Sequence, residues 1–144
     1  MALKVELKPG ERILIGDVVI TNSDQRTRFL VDGQAPILRE KDIMTAERAD
    51  SPAKRIYLAI QLMYISRDPR AHHDVYFALM RDIIHAAPSA SQHIANINNQ
   101  ILTGDLYKAL KFARKLIDYE QELLTHANGG PNLRNGGAEN RKSA

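Results

Sequence analysis

The sequence predicts an α+β protein, with an N-terminal antiparallel β meander of about five short strands followed by about four helices. Three observations lead there. Apolar residues alternate with period two as far as Lys41, and recur with a period of about 3.6 from Ser51 onward. Turn residues punctuate the first part at Lys8-Pro9-Gly10-Glu11, Gly16-Asp17, Asn22-Ser23-Asp24-Gln25 and Asp32-Gly33. The second part carries helix starts and stops instead, at Ser51-Pro52, Asp68-Pro69 and Thr103-Gly104-Asp105.

The strands follow in order. Leu3, Val5 and Leu7 alternate with Lys4, Glu6 and Lys8, as in a half-buried strand. After the Pro9-Gly10 turn come Ile13-Leu14-Ile15, then Val18-Val19-Ile20-Thr21, then Thr27 to Val31, and finally the short Ile37-Leu38 behind Pro36. Strands this short make a sheet too small to stand alone, so its apolar face needs a helix layer or a second copy.

The helices are read from caps and stripes. Ser51 is an N-cap with Pro52 in the first helical position, and Ala53, Ile56, Tyr57, Ile60, Met63 and Tyr64 line one face. Asp68-Pro69 starts a second helix with Val75, Tyr76, Leu79, Met80, Ile83 and Ile84 inward, and Pro88 stops it. Ser89 or Ser91 caps a third, with Ile94, Ile97 and Ile101 inward. Gly104 ends that helix and Asp105 caps the fourth, which turns Leu106, Ala109, Leu110, Ala113, Leu116, Ile117, Leu123 and Leu124 inward. The expected organisation is a β unit over 1–41, a linker over 42–50, a helical unit over 51–127 and a disordered tail over 128–144.

Composition excludes several classes. There is no Cys, so disulfides, thiolate catalysis and cysteine-based zinc sites are out, which suits a reducing, cytoplasmic setting. The start, Met1 to Glu6, reads as neither signal peptide nor anchor, and no apolar stretch approaches the roughly 20 residues that span a bilayer. Neither a phosphate-cradling glycine loop nor a nucleophile elbow occurs. His72, His73, His85, His93 and His126 show no metal-ligand spacing. Glu120 and Glu122 lie two apart on a helix and point different ways. No catalytic residue, metal site or cofactor is expected, and the reading is of a protein that is not an enzyme.

Net charge is +3, distributed unevenly. The first fifty residues hold eight Lys/Arg against nine Asp/Glu, whereas 51–127 hold nine against seven. Lys108, Lys111, Arg114 and Lys115 form a basic stripe on the fourth helix, with Lys108, Lys111 and Lys115 on one face. Such a stripe is most often a solvated face, and its functional alternative is phosphate contact. Of the five tyrosines, Tyr57, Tyr64 and Tyr76 fall on apolar stripes and read as core, whereas Tyr107 and Tyr119 are open to a role in base stacking.

Lys8-Pro9-Gly10-Glu11, Ile13-Leu14-Ile15-Gly16-Asp17 with Val19, Ala35-Pro36 and Arg39-Glu40 resemble the corresponding run of the CsrA translational regulators. Those are small β proteins that bind messenger leaders as strand-swapped dimers. Over about residues 1–125 the sequence is more similar to the FlbT family of α-proteobacteria. That wider likeness adds Ser51 to Tyr57, Gln61, Met63-Tyr64, Asp105 to Leu110, and Leu116-Ile117 with Tyr119-Glu120.

The resemblance implies a post-transcriptional repressor of flagellin synthesis that associates with the 5′ leader of the flagellin mRNA. Lys8 and Arg39 are the positions that match the RNA-contacting ones of the CsrA family, while Leu7 stands where that family has a basic residue. Lys4, Arg12, Arg26, Arg28 and Lys41 join them on charge alone. The helical stripe is the rival basic surface. The alternative function is a protein–protein regulator of flagellar assembly that reaches the message only through a flagellar regulatory partner. A homodimer is also expected, and no membrane association.

Overall fold

The computed structural model describes residues 2–128, and its first half is built from short antiparallel strands. These are β1 (Ala2–Leu7), β2 (Arg12–Ile15), β3 (Val18–Thr21), β4 (Thr27–Asp32) and β5 (Ile37–Arg39). Four helices follow: α1 (Pro52–Ile65), α2 (His73–Ala86), α3 (Ser91–Leu102) and α4 (Leu106–Asn128). The α+β class and the change of period are as expected. All but the first residue of the anticipated 128–144 tail lies outside the described residues.

The strands do not pair simply in sequence order. β1 pairs with β4, and a second sheet runs β3-β2-β5. Gly10 and Gly16, with φ of 76° and 64°, turn the chain at both ends of β2, where a Cβ would be strained. Asn22 fastens the β3–β4 loop, its amide donating to the carbonyls of Lys8 (2.9 Å) and Gln25 (2.8 Å).

Strand alternation explains how β2 and β5 are covered on both sides, while β3 stays exposed. Val5, Leu7 and Ile13 are buried between the two sheets, with Phe29, Val31 and Ile37 against them. Leu14 and Leu38, direct partners across β2 and β5, belong to the helical core instead. That core gathers Ile56, Ile60 and Met63 of α1, Tyr76 of α2, Ile97 of α3, and Ala109, Ala113 and Leu116 of α4. The segment between the halves is pinned to α1. Gln61 brackets Met44, its amide donating to the Met44 carbonyl (2.9 Å) and its oxygen accepting from the Met44 N–H (2.7 Å). The Tyr57 hydroxyl donates to the Asp42 carbonyl (2.6 Å).

Local chemistry behaves as read at two helix starts. The Lys54 N–H donates to Ser51 Oγ and the Lys108 N–H to Asp105 Oδ1, while Gly104 takes φ of 82° to end α3. Two others differ. Pro69–His72 and Pro88–Ala90 are 3₁₀ turns, so α2 begins at His73 without an Asp68 cap. At α3, Ser91 Oγ donates to the Pro88 carbonyl (2.7 Å) rather than capping the helix. Val75 is 59% exposed, because Tyr76 and Ile83, seven apart, set the inward line of α2 and Val75 lies a third of a turn off it. Leu123 and Leu124 are 38% and 47% exposed, because α4 runs on past the helices that cover its earlier turns. Among the described residues no helix is long and apolar enough to cross a membrane.

Candidate nucleic-acid interface

The Gly104-Asp105 junction starts α4 beside β5, and this places the first turns of α4 against the end of the β unit. Between them lies a groove of about 370 Å³ lined by Leu38, Lys41, Asp42, Tyr57, Tyr107, Leu110, Lys111, Arg114 and Lys115. A second hollow, of about 450 Å³, adjoins it and is lined in part by Lys4, Arg39, Asp42, Tyr64 and Tyr107. Tyr107 and Asp42 belong to both walls. The two basic sets anticipated as rivals are therefore neighbours: Lys41 shares the first groove with Lys111, Arg114 and Lys115, while Lys4 and Arg39 line the adjoining hollow.

The cations are not equivalent. Arg114 lies over the Tyr57 ring at 5.1 Å, within 3.5 Å of the Asp42 carboxylate and 3.4 Å of the Tyr57 hydroxyl. It latches α4 to the segment after β5. Lys41, Lys111 and Lys115 form no ion pair among the described residues, and Asp42 is the one acid lining the first groove. Lys111 and Lys115 hold their ammonium groups over the rings of Tyr107 and Phe112, at 5.1 and 5.0 Å.

Several predicted contacts have carboxylate partners. Arg39 donates to the Glu6 carbonyl (2.9 Å) and to Glu11 (3.3 Å), tying β5 to β1 and its turn. Arg12 pairs with Glu40 at 3.8 Å and Arg26 with Glu6 at 2.7 Å. Lys8, Arg12, Arg26, Arg28 and Lys108 line neither hollow. The Lys8 N–H donates to Glu11 (2.9 Å), and this bond, with Arg39 beside it, holds the Glu11 carboxyl below its ordinary value. Arg26 does the same for Glu6.

Burial divides the tyrosines. Tyr57 and Tyr76 are buried, and desolvation raises both phenols above the ordinary range. Tyr64 is half-buried, accepting from the Ile37 N–H at 3.1 Å. Tyr107 is 45% exposed. Tyr119 is hydrogen-bonded to Ser89 (2.5 Å) and stacked on His93, away from the groove. Among the described residues no group of three or more His, Asp or Glu is placed to hold a metal ion.

Sequence reasoning missed the role of Glu120. Its carboxylate accepts from the Ala53 N–H (2.9 Å) and from Ser51 Oγ (2.5 Å), so α4 supplies the cap that completes the start of α1. Glu120 stands beside the buried Leu116–Ile117 stripe, but only the packing of α4 on α1 reveals the partner.

A family model described as Flagellar protein FlbT matches residues 3–124. A protein of Bradyrhizobium diazoefficiens named "Probable flagellum biosynthesis repressor protein FlbT 1" is 64% identical over 124 residues, covering 85% of each chain. One from Rhodopseudomonas palustris, "Probable flagellum biosynthesis repressor protein FlbT", is 57% identical over 87% of this chain and 99% of its own. The Caulobacter vibrioides "Flagellum biosynthesis repressor protein FlbT" is 32% identical over 90% of this chain and 94% of its own. No solved structure matches.

Proposed function

Because this chain belongs to the FlbT family of flagellar proteins, we propose that it represses flagellum biosynthesis after transcription, by associating in the cytoplasm with the 5′ leader of the flagellin messenger. It does so as a binding protein, without catalysis or cofactor. The repressor role follows the names of the relatives. The observation that supports RNA as the ligand is the groove between β5 and α4, where Lys41, Lys111 and Lys115 stand unmatched by carboxylates. Lysines held this way attract a phosphate backbone and release its counterions on contact. Lys4 extends the basic surface along the neighbouring hollow.

The test is binding of purified protein to flagellin leader RNA at two salt concentrations. Affinity is expected to fall as salt rises, and to fall with a shallower slope for the double variant Lys111→Ala, Lys115→Ala. A wild-type protein that ignores the leader at low salt overturns the reading.

A second reading has one observation in its favour. An apolar cleft of about 370 Å³ lies beside the start of α1, lined by Ile83, Leu116, Leu123 and Leu124 among others, and suits a flagellar regulatory protein. Repression would then reach the message through that partner. A homodimer finds its support in β3, whose four residues are exposed and uncharged on the outer edge of a three-stranded sheet.

A further inference from the structure

We propose that Tyr107 is a stacking platform for one unpaired nucleobase, which makes the groove a reader of single-stranded RNA rather than a general polyanion site. The inference deepens the RNA reading above and rests on it. Tyr107 sits in the first turn of α4, 45% exposed although its ring is a large apolar surface. Its ring forms the shared wall of the two adjoining hollows. Its hydroxyl has no hydrogen-bond partner among the described residues, unlike those of Tyr57, Tyr64, Tyr76 and Tyr119. Nearly half of this side chain is thus left uncovered by the protein's own packing.

Its surroundings do suit a base. Tyr64 lies 5.9 Å away with its ring tilted by 45°, and is itself held through its bond from the Ile37 N–H. It braces Tyr107 from one side. Lys111 Nζ stands 5.1 Å from the Tyr107 centroid, where it can shift to the phosphate of a nucleotide whose base takes the ring face. An aromatic face flanked by lysines on a rigid helix is the combination that single-strand binders use, and each stacked base contributes substantially to affinity. In a duplex the bases are already stacked on each other and unavailable, so the platform selects unpaired RNA.

The experiment compares wild type, Tyr107→Phe and Tyr107→Leu on flagellin leader RNA and on the same RNA annealed to its complement, across a salt series. Tyr107→Phe keeps the ring and is expected to bind within about twofold of wild type. Tyr107→Leu is expected to lose about 5- to 150-fold on the single strand, the range for one stacked base, with an unchanged salt slope. Circular dichroism checks that both variants fold. Leader RNA carrying 5-bromouracil should also cross-link to the peptide that contains Tyr107. Wild-type binding that Tyr107→Leu leaves intact overturns the platform and spares the RNA reading. A cross-link that maps only elsewhere does the same. Absence of RNA binding by the wild type overturns both, and equal affinity for single and paired strands overturns the selectivity.

Discussion

The Ala53 N–H donates to the carboxylate of Glu120 at 2.9 Å, across 67 residues of chain. The same carboxylate accepts from Ser51 Oγ, whose oxygen in turn accepts from the Lys54 N–H. One acid from α4 thus satisfies donors that α1 cannot satisfy itself, and places negative charge at that helix's positive end. Glu120→Ala is expected to cost about 1.5–3 kcal/mol, as for hydrogen bonds to a charged group. Urea unfolding measures it. Ser51→Ala in the Glu120→Ala background should then cost less than Ser51→Ala alone, because the two act as a unit.

Lys8 and the Lys111/Lys115 pair separate the two basic surfaces. Lys8→Ala should change leader affinity by less than about twofold, since Lys8 lines neither hollow. Lys111→Ala with Lys115→Ala should flatten the plot of log affinity against log salt by about 1.4 units, at about 0.7 per contact on a single strand. Arg114→Ala should differ from both by also lowering the melting temperature, because it removes the latch over Tyr57 and Asp42.

Tyr76 is fully buried, and its hydroxyl donates to Asn98 Oδ1 at 2.6 Å. Tyr76→Ala should cost about 3–5 kcal/mol, as for large aromatic truncations. Tyr76→Phe should cost about 1 kcal/mol through the lost bond. Burial raises this phenol above its ordinary 10.0. The raised value favours folding below pH 10 and the advantage is lost as pH rises beyond it, while the unfolded phenol ionises. Alkaline unfolding should therefore be less steep in Tyr76→Phe than in wild type.

Glu11 works in the opposite direction. Its folded carboxyl lies below the ordinary 4.5, held there first by the Lys8 N–H and then by Arg39. This favours folding above pH 4.5 and is lost as pH falls through the lowered value. Glu11→Gln should shrink the drop in melting temperature between about pH 6 and pH 3. An unchanged drop would assign acid sensitivity to other carboxyls.

What was legible in the sequence follows the range of each interaction. Ser51, Gly104 and Asp105 act on their immediate neighbours, so their roles could be read from spacing. The stripe of α1 could too, since one face of it is fully covered. Leu123 and Leu124 look like core in a periodic pattern, and only the position of the covering helices shows them exposed, whereas Val75 lies beside the inward line that Tyr76 and Ile83 set. The arginines were the hardest to read. Arg12, Arg26 and Arg39 find carboxylates 20 to 28 residues away, along contacts set by which strands pair. Lys41 and Lys111 could be recognised as basic, but their meeting in one groove depends on how α4 is laid against β5. Glu120 was passed over for the same reason.

Leu38 belongs to the same buried core as residues of α4, although it lies on the last strand. During synthesis the β unit leaves the ribosome first, while Leu116 of that core is added 78 residues after Leu38. At about 5–20 residues per second, the nascent strands wait roughly 4–16 s with the Leu14–Leu38 face uncovered. Neighbouring chains on one polysome present the same open face at the same moment. The protein is thus most exposed to misassembly while it is being translated, and a slow codon stretch before α4 would lengthen that interval.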